Sequence, residues 1–296
     1  MAHLQHANHS VKAQFREVSR VPHEWRGEIP VVGDLLKSDV RAKAIAGIGT
    51  VAHLATRGFS NANPPTEELL SQEADVAVAL AREAAGQGVK RFLFVSSIHV
   101  YGDALVGEID ENSQTSPRDL LGLRKLELEK RLLQIATDDF HVTVLRLANS
   151  FGTAGNPDHT PWDLLLNELC REAVVRRTMS LRTNGLQYRD FVPLGEVVRA
   201  ITAIIHHPRV RTGTYLLASG NSRTVIESVE RLALILQHNH DIVAEVRRGT
   251  STNLVSRAFR LSTHALGELG ITLSTDWSEE VRLLVEAASR FRDDPS

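Results

Sequence analysis

The sequence holds a single cysteine, Cys170, so no disulfide can form within the chain. It also lacks an excess of either charge: 34 lysines and arginines face 36 aspartates and glutamates, for a net charge of −2. That balance argues against a nucleic-acid surface, which needs a basic excess, and against an acidic interaction tail. No apolar run is long enough to span a bilayer. Residues 1–20 are polar and rich in histidine, without the apolar core of a secretion signal. The 13 histidines are scattered, and neither His6 and His9 nor His238 and His240 have the context of a metal site. These absences predict a globular protein of the reducing cytoplasm, with no metal and no nucleic-acid or membrane partner.

What is present is an alternation of two periodicities. Val11–Val18, Ile29–Val32, Val51–Ala55, Phe92–Val95 and Val142–Leu147 are short β-rich runs. Between them Glu67–Ala85 puts Leu70, Ala74, Val78 and Ala81 on one helical face, and Leu123–Ile135 does the same around Leu126 and Leu133. Strands separated by helices run parallel through crossovers, so the expected fold class is α/β, a doubly wound parallel sheet. After residue 150 the pattern loosens. It predicts a loop at 157–160, a helix over Trp162–Val175, a late strand at Thr214–Leu217 and a frayed tail from Arg290. Thr224-x-x-Glu227 reads as a capping box opening a helix to Leu236.

Five blocks stand in order along this pattern: Gly33-Asp34-Leu35, Val51-Ala-His-Leu-Ala-Thr56, Val95-Ser-Ser-Ile-His-Val-Tyr-Gly102, Leu145-Arg-Leu-Ala-Asn-Ser-Phe-Gly152 and Arg189-Asp-Phe-Val-Pro-Leu-Gly-Glu196. Together they resemble the NAD(P)-dependent epimerase/dehydratase family, the extended short-chain dehydrogenases that act mostly on nucleotide sugars. The resemblance implies a Rossmann-type domain over 1–150 and a smaller, interleaved substrate lobe over 151–296, some of whose segments return to the first domain. It also implies that Asp34 and Leu35 meet the cofactor's adenine and that Leu54, Ala55 and Thr56 pass beneath the cofactor. It implies that Ser97 hydrogen-bonds the reacting oxygen. Lys125 would bind the nicotinamide ribose and lower the pKa of a neighbouring tyrosine. Asn149 would touch the substrate, and Arg189 its diphosphate. An NAD enzyme would place an acid at the end of its second strand; Ser19-Arg20 stands there instead, which favours NADP over NAD. The family's habit of pairing subunits implies a homodimer through the helices over 67–85 and 123–135.

Three departures stand beside the resemblance. Leu121 occupies the position of the proton-carrying tyrosine, four residues before Lys125. No Gly-x-x-Gly-x-x-Gly precedes Val11, so the loop that cradles a pyrophosphate, the first strand and most of its helix are expected to be missing. That strand would be a central member of the sheet. Glu73 stands where an asparagine is usual. Two readings follow. One is NAD(P)-dependent nucleotide-sugar chemistry with Ser97 and Lys125 in the active site. The other is a catalytically impaired relative that binds a nucleotide-type ligand or a partner. His99 and Tyr101 are candidate substitutes for the tyrosine, Ser96 is expected to face away from Ser97, and Trp162 and Tyr188 either line a nucleotide pocket or pack internally.

Overall fold

The computed structural model describes residues 10–21, 29–54, 66–103, 105–153, 160–251 and 257–291. Along the chain these form β1 (Gln14–Phe15), β2 (Val31–Val32), α1 (Ser38–Ile45), β3 (Thr50–His53), α2 (Glu67–Gly86), β4 (Arg91–Ser97), β5 (Gly107–Ile109), α3 (Leu120–Leu133), β6 (His141–Leu147) and β7 (Asn149–Phe151). They continue as α4 (Leu165–Arg176), β8 (Thr178–Ser180), β9 (Tyr188–Arg189), β10 (Phe191–Pro193), α5 (Leu194–His206), β11 (Gly213–Leu217), β12 (Arg223–Thr224), α6 (Val225–His240), β13 (Glu245–Arg247), β14 (Phe259–Leu261), α7 (His264–Glu268) and α8 (Ser278–Ser289). The chain divides into two compact units. Unit 1 is Met1–Gly102, Thr115–Arg146 and Ile201–Tyr215; unit 2 is Asp103–Gln114, Leu147–Ala200 and Leu216–Ser296.

Unit 1 is built on a sheet of strand order β11-β6-β4-β3, in which β3 runs parallel to β4 with Val51 opposite Phe92. A separate parallel ribbon pairs β1 with β2, Gln14 opposite Val31 and Phe15 opposite Val32. Among the described residues no strand joins this ribbon to β3. Among these residues the ribbon is a two-stranded sheet of its own. It corrects the expected strand over Val11–Val18, which is two residues long and passes into a 3-10 turn at Val18–Arg20. A ribbon paired on one side has few ladder bonds to hold a longer strand straight.

The core of unit 1 follows from composition. Ala74, Ala77, Ala81 and Ala84 on α2 are small enough to bring the helix close to the sheet, where Phe92, Phe94, Val142 and Val144 are all buried. Thr66 starts α2 by accepting from Leu69 N at 3.3 Å, with Glu67 and Glu68 favourably placed in the first turn.

Unit 2 packs α4, α6 and α8 around a second core that includes Leu166, Leu169, Met179, Val229, Leu232, Trp277 and Leu284. The helix expected from Trp162 begins at Leu165, because the turn closed by Leu164 N to Pro161 O (3.2 Å) comes first. The capping box is formed on both sides: Thr224 Oγ1 accepts from Glu227 N at 3.3 Å, and Glu227 Oε2 accepts from Thr224 N at 2.8 Å. The helix it opens runs to His240, past the expected Leu236. Among the described residues no helix is long and apolar enough to cross a membrane.

Candidate active site

In unit 1 a groove of about 320 Å³ opens at the C-terminal ends of β1, β2 and β3, the position where open α/β sheets bind ligands. Its lining includes Arg16, Asp34, Leu35, His53 and Glu73. Gly33 (φ 148°) lets the chain leave β2 sharply; a Cβ there would lie 2.9 Å from Val40 Cγ2. Asp34 accepts from Leu36 N at 3.0 Å and stands 3.5 Å from the Arg16 guanidinium. Arg41 fixes the same loop, donating to Leu35 O at 2.7 Å while it bridges to Glu83. Leu54 follows β3 and is exposed, and Ala55 and Thr56 lie outside the described residues.

Arg20 closes the Val18–Arg20 turn and does not line the groove; Arg16, directly after β1, does. Counting the strand to Val18 carried the sequence reading past Arg16. The pairing of Phe15 with Val32 next to Gly33-Asp34 is what locates it.

A second cluster in unit 1 gathers at the end of β4. Lys125 on α3 points inward: its Nζ donates to Val95 O at 3.1 Å and lies 4.7 Å from the centre of the Phe94 ring. Burial pulls its ammonium below the usual lysine range, and the carboxylates of Glu73 and then Glu129 pull the other way. Glu73 therefore supplies negative charge to Lys125 as well as lining the groove. His53 is held neutral, pushed down to about 4 by burial and then by Lys125.

Ser97 ends β4, and its Oγ accepts from His99 N at 3.3 Å. Ser96 faces the other way and donates to the buried Glu129 carboxylate. Tyr101 is buried, its hydroxyl accepting from Arg146 Nη1 at 2.8 Å within the same structural network, so it is not placed to exchange protons with a ligand. His99 is exposed, with Nδ1 3.0 Å from Asp119 Oδ2. Leu121 sits in the first turn of α3, between the cap Asp119 and Lys125.

In unit 2, Asn149 donates through Nδ2 to Asp190 O at 3.1 Å, across the parallel pair β7–β10. Asp190 is buried and receives Ser219 N at 2.8 Å and Asn221 N at 3.1 Å; burial still raises its carboxyl above the usual range. Beside it Arg189 is exposed and, among the described residues, has no ion pair. Arg189 stands opposite Arg223 across β9–β12, and both line a water-sized recess of about 10 Å³ with Arg231. Arg231 lies 4.3 Å over the Trp277 ring; burial and the nearby Arg223 pull its guanidinium down. Three guanidiniums around one recess favour an anion. Trp162 packs instead edge-on to Phe291 at 5.5 Å. The sequence reading missed Arg223, Arg231 and Trp277, which lie far apart in the chain and share no local motif.

Burial pushes the Cys170 thiol up to about 12, which removes it as a nucleophile. Among the described residues no group of three His, Cys, Asp or Glu side chains could hold a metal ion.

The parallel sheet, the groove at the strand ends of unit 1 and the half-buried lysine beside β4 define an α/β protein with a Rossmann-type sheet. Residues 1–218 match the family model of the NAD dependent epimerase/dehydratase family, and the chain belongs to that family. It is 30% identical over 211 residues to a UDP-glucose 4-epimerase of Vibrio cholerae, covering 69% of this chain and 62% of the relative. It is 25% identical over 201 residues to YtcB of Bacillus subtilis, described as an uncharacterized UDP-glucose epimerase, covering 66% and 61%. The chain thus spans about six tenths of the length of the curated relatives it matches. Among solved structures, MoeE5 in complex with UDP-glucose and NAD aligns with a TM-score of 0.78 at 22% identity, over 98% of this chain and 94% of that one. TunA, an NAD-dependent NDP-hexosamine 5,6-dehydratase, aligns with a TM-score of 0.77 at 23% identity, over 97% and 91%. At these identities the likeness is one of fold.

Proposed function

We propose that this chain binds a nicotinamide dinucleotide and a nucleotide sugar and carries out NAD(P)-dependent chemistry on the sugar. The observation that carries the reading is the groove at the strand ends of unit 1, with Asp34 and Leu35 held on its wall. Its volume suits the adenosine half of a dinucleotide. The described residues supply no glycine-rich turn for the pyrophosphate. When bound, such a cofactor supplies reversible oxidation of a sugar carbon.

The chain's own residues do the rest. Lys125 sets positive charge beside the end of β4, and Ser97 offers a hydroxyl to the reacting oxygen. Asn149 and Arg189 hold the nucleotide sugar. The names of the relatives and the ligands in the MoeE5 title support a UDP-sugar. Arg16 on the groove wall, rather than Arg20, supports a 2′-phosphate and hence NADP. A homodimer through α2 and α3 and a cytoplasmic location complete this reading; the one cysteine is compatible with the latter.

A second reading, ligand binding without turnover, is favoured by Leu121 and by the Glu73 carboxylate. Calorimetric titration with NAD+, NADP+ and UDP-glucose tests the first reading. Saturable binding of one dinucleotide and of UDP-glucose is expected, weakened by Asp34→Ala and Arg189→Ala respectively. No binding of either dinucleotide at millimolar concentration would sink it.

A further inference from the structure

We propose that His99, oriented by Asp119, carries the proton that a leucine at position 121 cannot. The proposal rests on the dehydrogenase reading above and names a residue for its proton step.

The turn bearing His99 and the helix bearing Leu121 are locked together. Gly122 has no room for a side chain: a Cβ would lie 2.7 Å from His99 O and 3.0 Å from Pro117 Cβ. Gly102 (φ 82°) closes the turn's other end, where a Cβ would collide with Ser116 O, and Ser116 N donates to Val100 O at 3.1 Å. His99 is therefore held against the first turn of α3, beside the position that carries the leucine. Its backbone N–H donates to Ser97 Oγ, so the histidine and the serine belong to one rigid turn.

Asp119 has two tasks. Its Oδ1 accepts from Gly122 N at 2.6 Å and caps α3; its Oδ2 lies 3.0 Å from His99 Nδ1. A carboxylate can only accept, so Nδ1 must carry hydrogen, and in the neutral imidazole Nε2 is then the nitrogen with the lone pair. An imidazole with a free Nε2, steadied by a carboxylate on Nδ1, is the arrangement of a general base. His99 is half exposed, so Nε2 can meet a ligand. Burial is the largest single influence on the Asp119 carboxyl and raises it, but the Gly122 N–H and then His99 together outweigh burial and hold it below its usual range.

In the proposed step a sugar hydroxyl gives its proton to His99 Nε2. The hydrogen on the same carbon leaves with its two electrons for the oxidised nicotinamide dinucleotide, and the C–O bond becomes a carbonyl. Reduction returns the hydrogen to carbon and the proton from His99 to oxygen.

Asp119→Asn separates positioning from folding. Asparagine caps a helix as well as aspartate, so α3 should stay intact. Its amide N–H can turn to His99 Nδ1 and shift the imidazole hydrogen to Nε2. ¹⁵N NMR of the ligand-free protein should show His99 as the Nδ1–H tautomer, and as Nε2–H in Asp119→Asn. With UDP-glucose and whichever of NAD+ and NADP+ binds, kcat should fall by about 100-fold or more in both His99→Gln and Asp119→Asn. Dinucleotide affinity should not change, and Leu121→Tyr placed on His99→Gln should restore turnover.

Wild-type kcat in His99→Gln would overturn the proposal, and so would an Nε2–H tautomer in the wild type. A wild type that binds both ligands without turnover would overturn it while leaving the binding reading intact. Failure to bind either dinucleotide would remove both, a result that the titration distinguishes.

Discussion

In unit 1 the buried Glu129 carboxylate meets the Arg146 guanidinium at 2.8 Å and the hydroxyl of Ser96. In unit 2 the buried carboxylates of Asp190 and Glu280 meet main-chain N–H groups: Ser219 and Asn221 for the first, Thr153 and Gly195 for the second. Unit 1 thus engages a cation to hold its buried acid, whereas unit 2 uses dipoles. In the same unit Arg189 and Arg223 stand opposite one another without an ion pair among the described residues. Lys125 shows the contrast from the other side, since its charge is met by Glu73 and Glu129. Positive charge at Lys125 is thus answered within unit 1, whereas the unit 2 recess gathers Arg189, Arg223 and Arg231 with no carboxylate in its lining.

Removing Arg146 should break this comparison most severely. Arg146→Met leaves Glu129 buried and uncompensated, and should cost about 3–5 kcal/mol in denaturant unfolding. The paired change Glu129→Leu with Arg146→Met should recover most of that loss, because it is the orphaned charge that is expensive. A loss below 1 kcal/mol for the single variant would mean that water reaches Glu129 and that the pair is not structural.

The matching change in unit 2 should be milder. Glu280→Gln keeps one acceptor for Gly195 N or Thr153 N and turns an N–H toward the other, so a cost of about 1–3 kcal/mol is expected. The effect should vary with pH in a defined sense. Burial, the larger influence, raises the Glu280 carboxyl above its usual range, against the two N–H bonds. An acid whose folded pKa is raised adds stability that is fully present below the unfolded pKa and is lost as pH rises through the folded one. The penalty for Glu280→Gln, measured by urea midpoints, should therefore be larger at acid pH than at neutrality. A penalty that grows with pH would show that the amide dipoles outweigh burial.

How far these devices could be read from sequence depends on how local they are. The capping box at Thr224 and Glu227 was legible because its partners are three residues apart. Ser96 and Ser97 were separable because neighbours in a strand point to opposite faces. The inward aim of Lys125 is not legible in sequence, since Leu-Arg-Lys-Leu-Glu suits a solvated face equally, and only packing against Phe94 decides it. Arg16 was hidden by a strand whose length depends on what pairs with it. Glu280 had no signal at all, because its partners Thr153 and Gly195 lie far away in sequence. The legible device also yields a pH dependence of opposite sense in unit 2: the Thr224 hydroxyl, more than any other group, holds the Glu227 carboxyl below its usual range, so Thr224→Ala should cost about 1 kcal/mol at neutrality and less at acid pH.

Arg189→Ala should have the smallest effect on stability and gives the comparison its sharpest test. A guanidinium that answers a carboxylate costs stability when it is removed. One with no ion pair, set opposite Arg223 across two short strands and near Arg231, should cost nothing beyond about 0.5 kcal/mol. Relief of repulsion could even raise the unfolding midpoint at low salt. The same variant should weaken UDP binding by calorimetry, and that loss should shrink as salt rises. A marked loss of stability would show that Arg189 is engaged in structure, and would erase the difference between the units. Unchanged stability with weakened UDP binding would instead identify the charge left open in unit 2 as the part of the chain that meets the anionic end of its ligand.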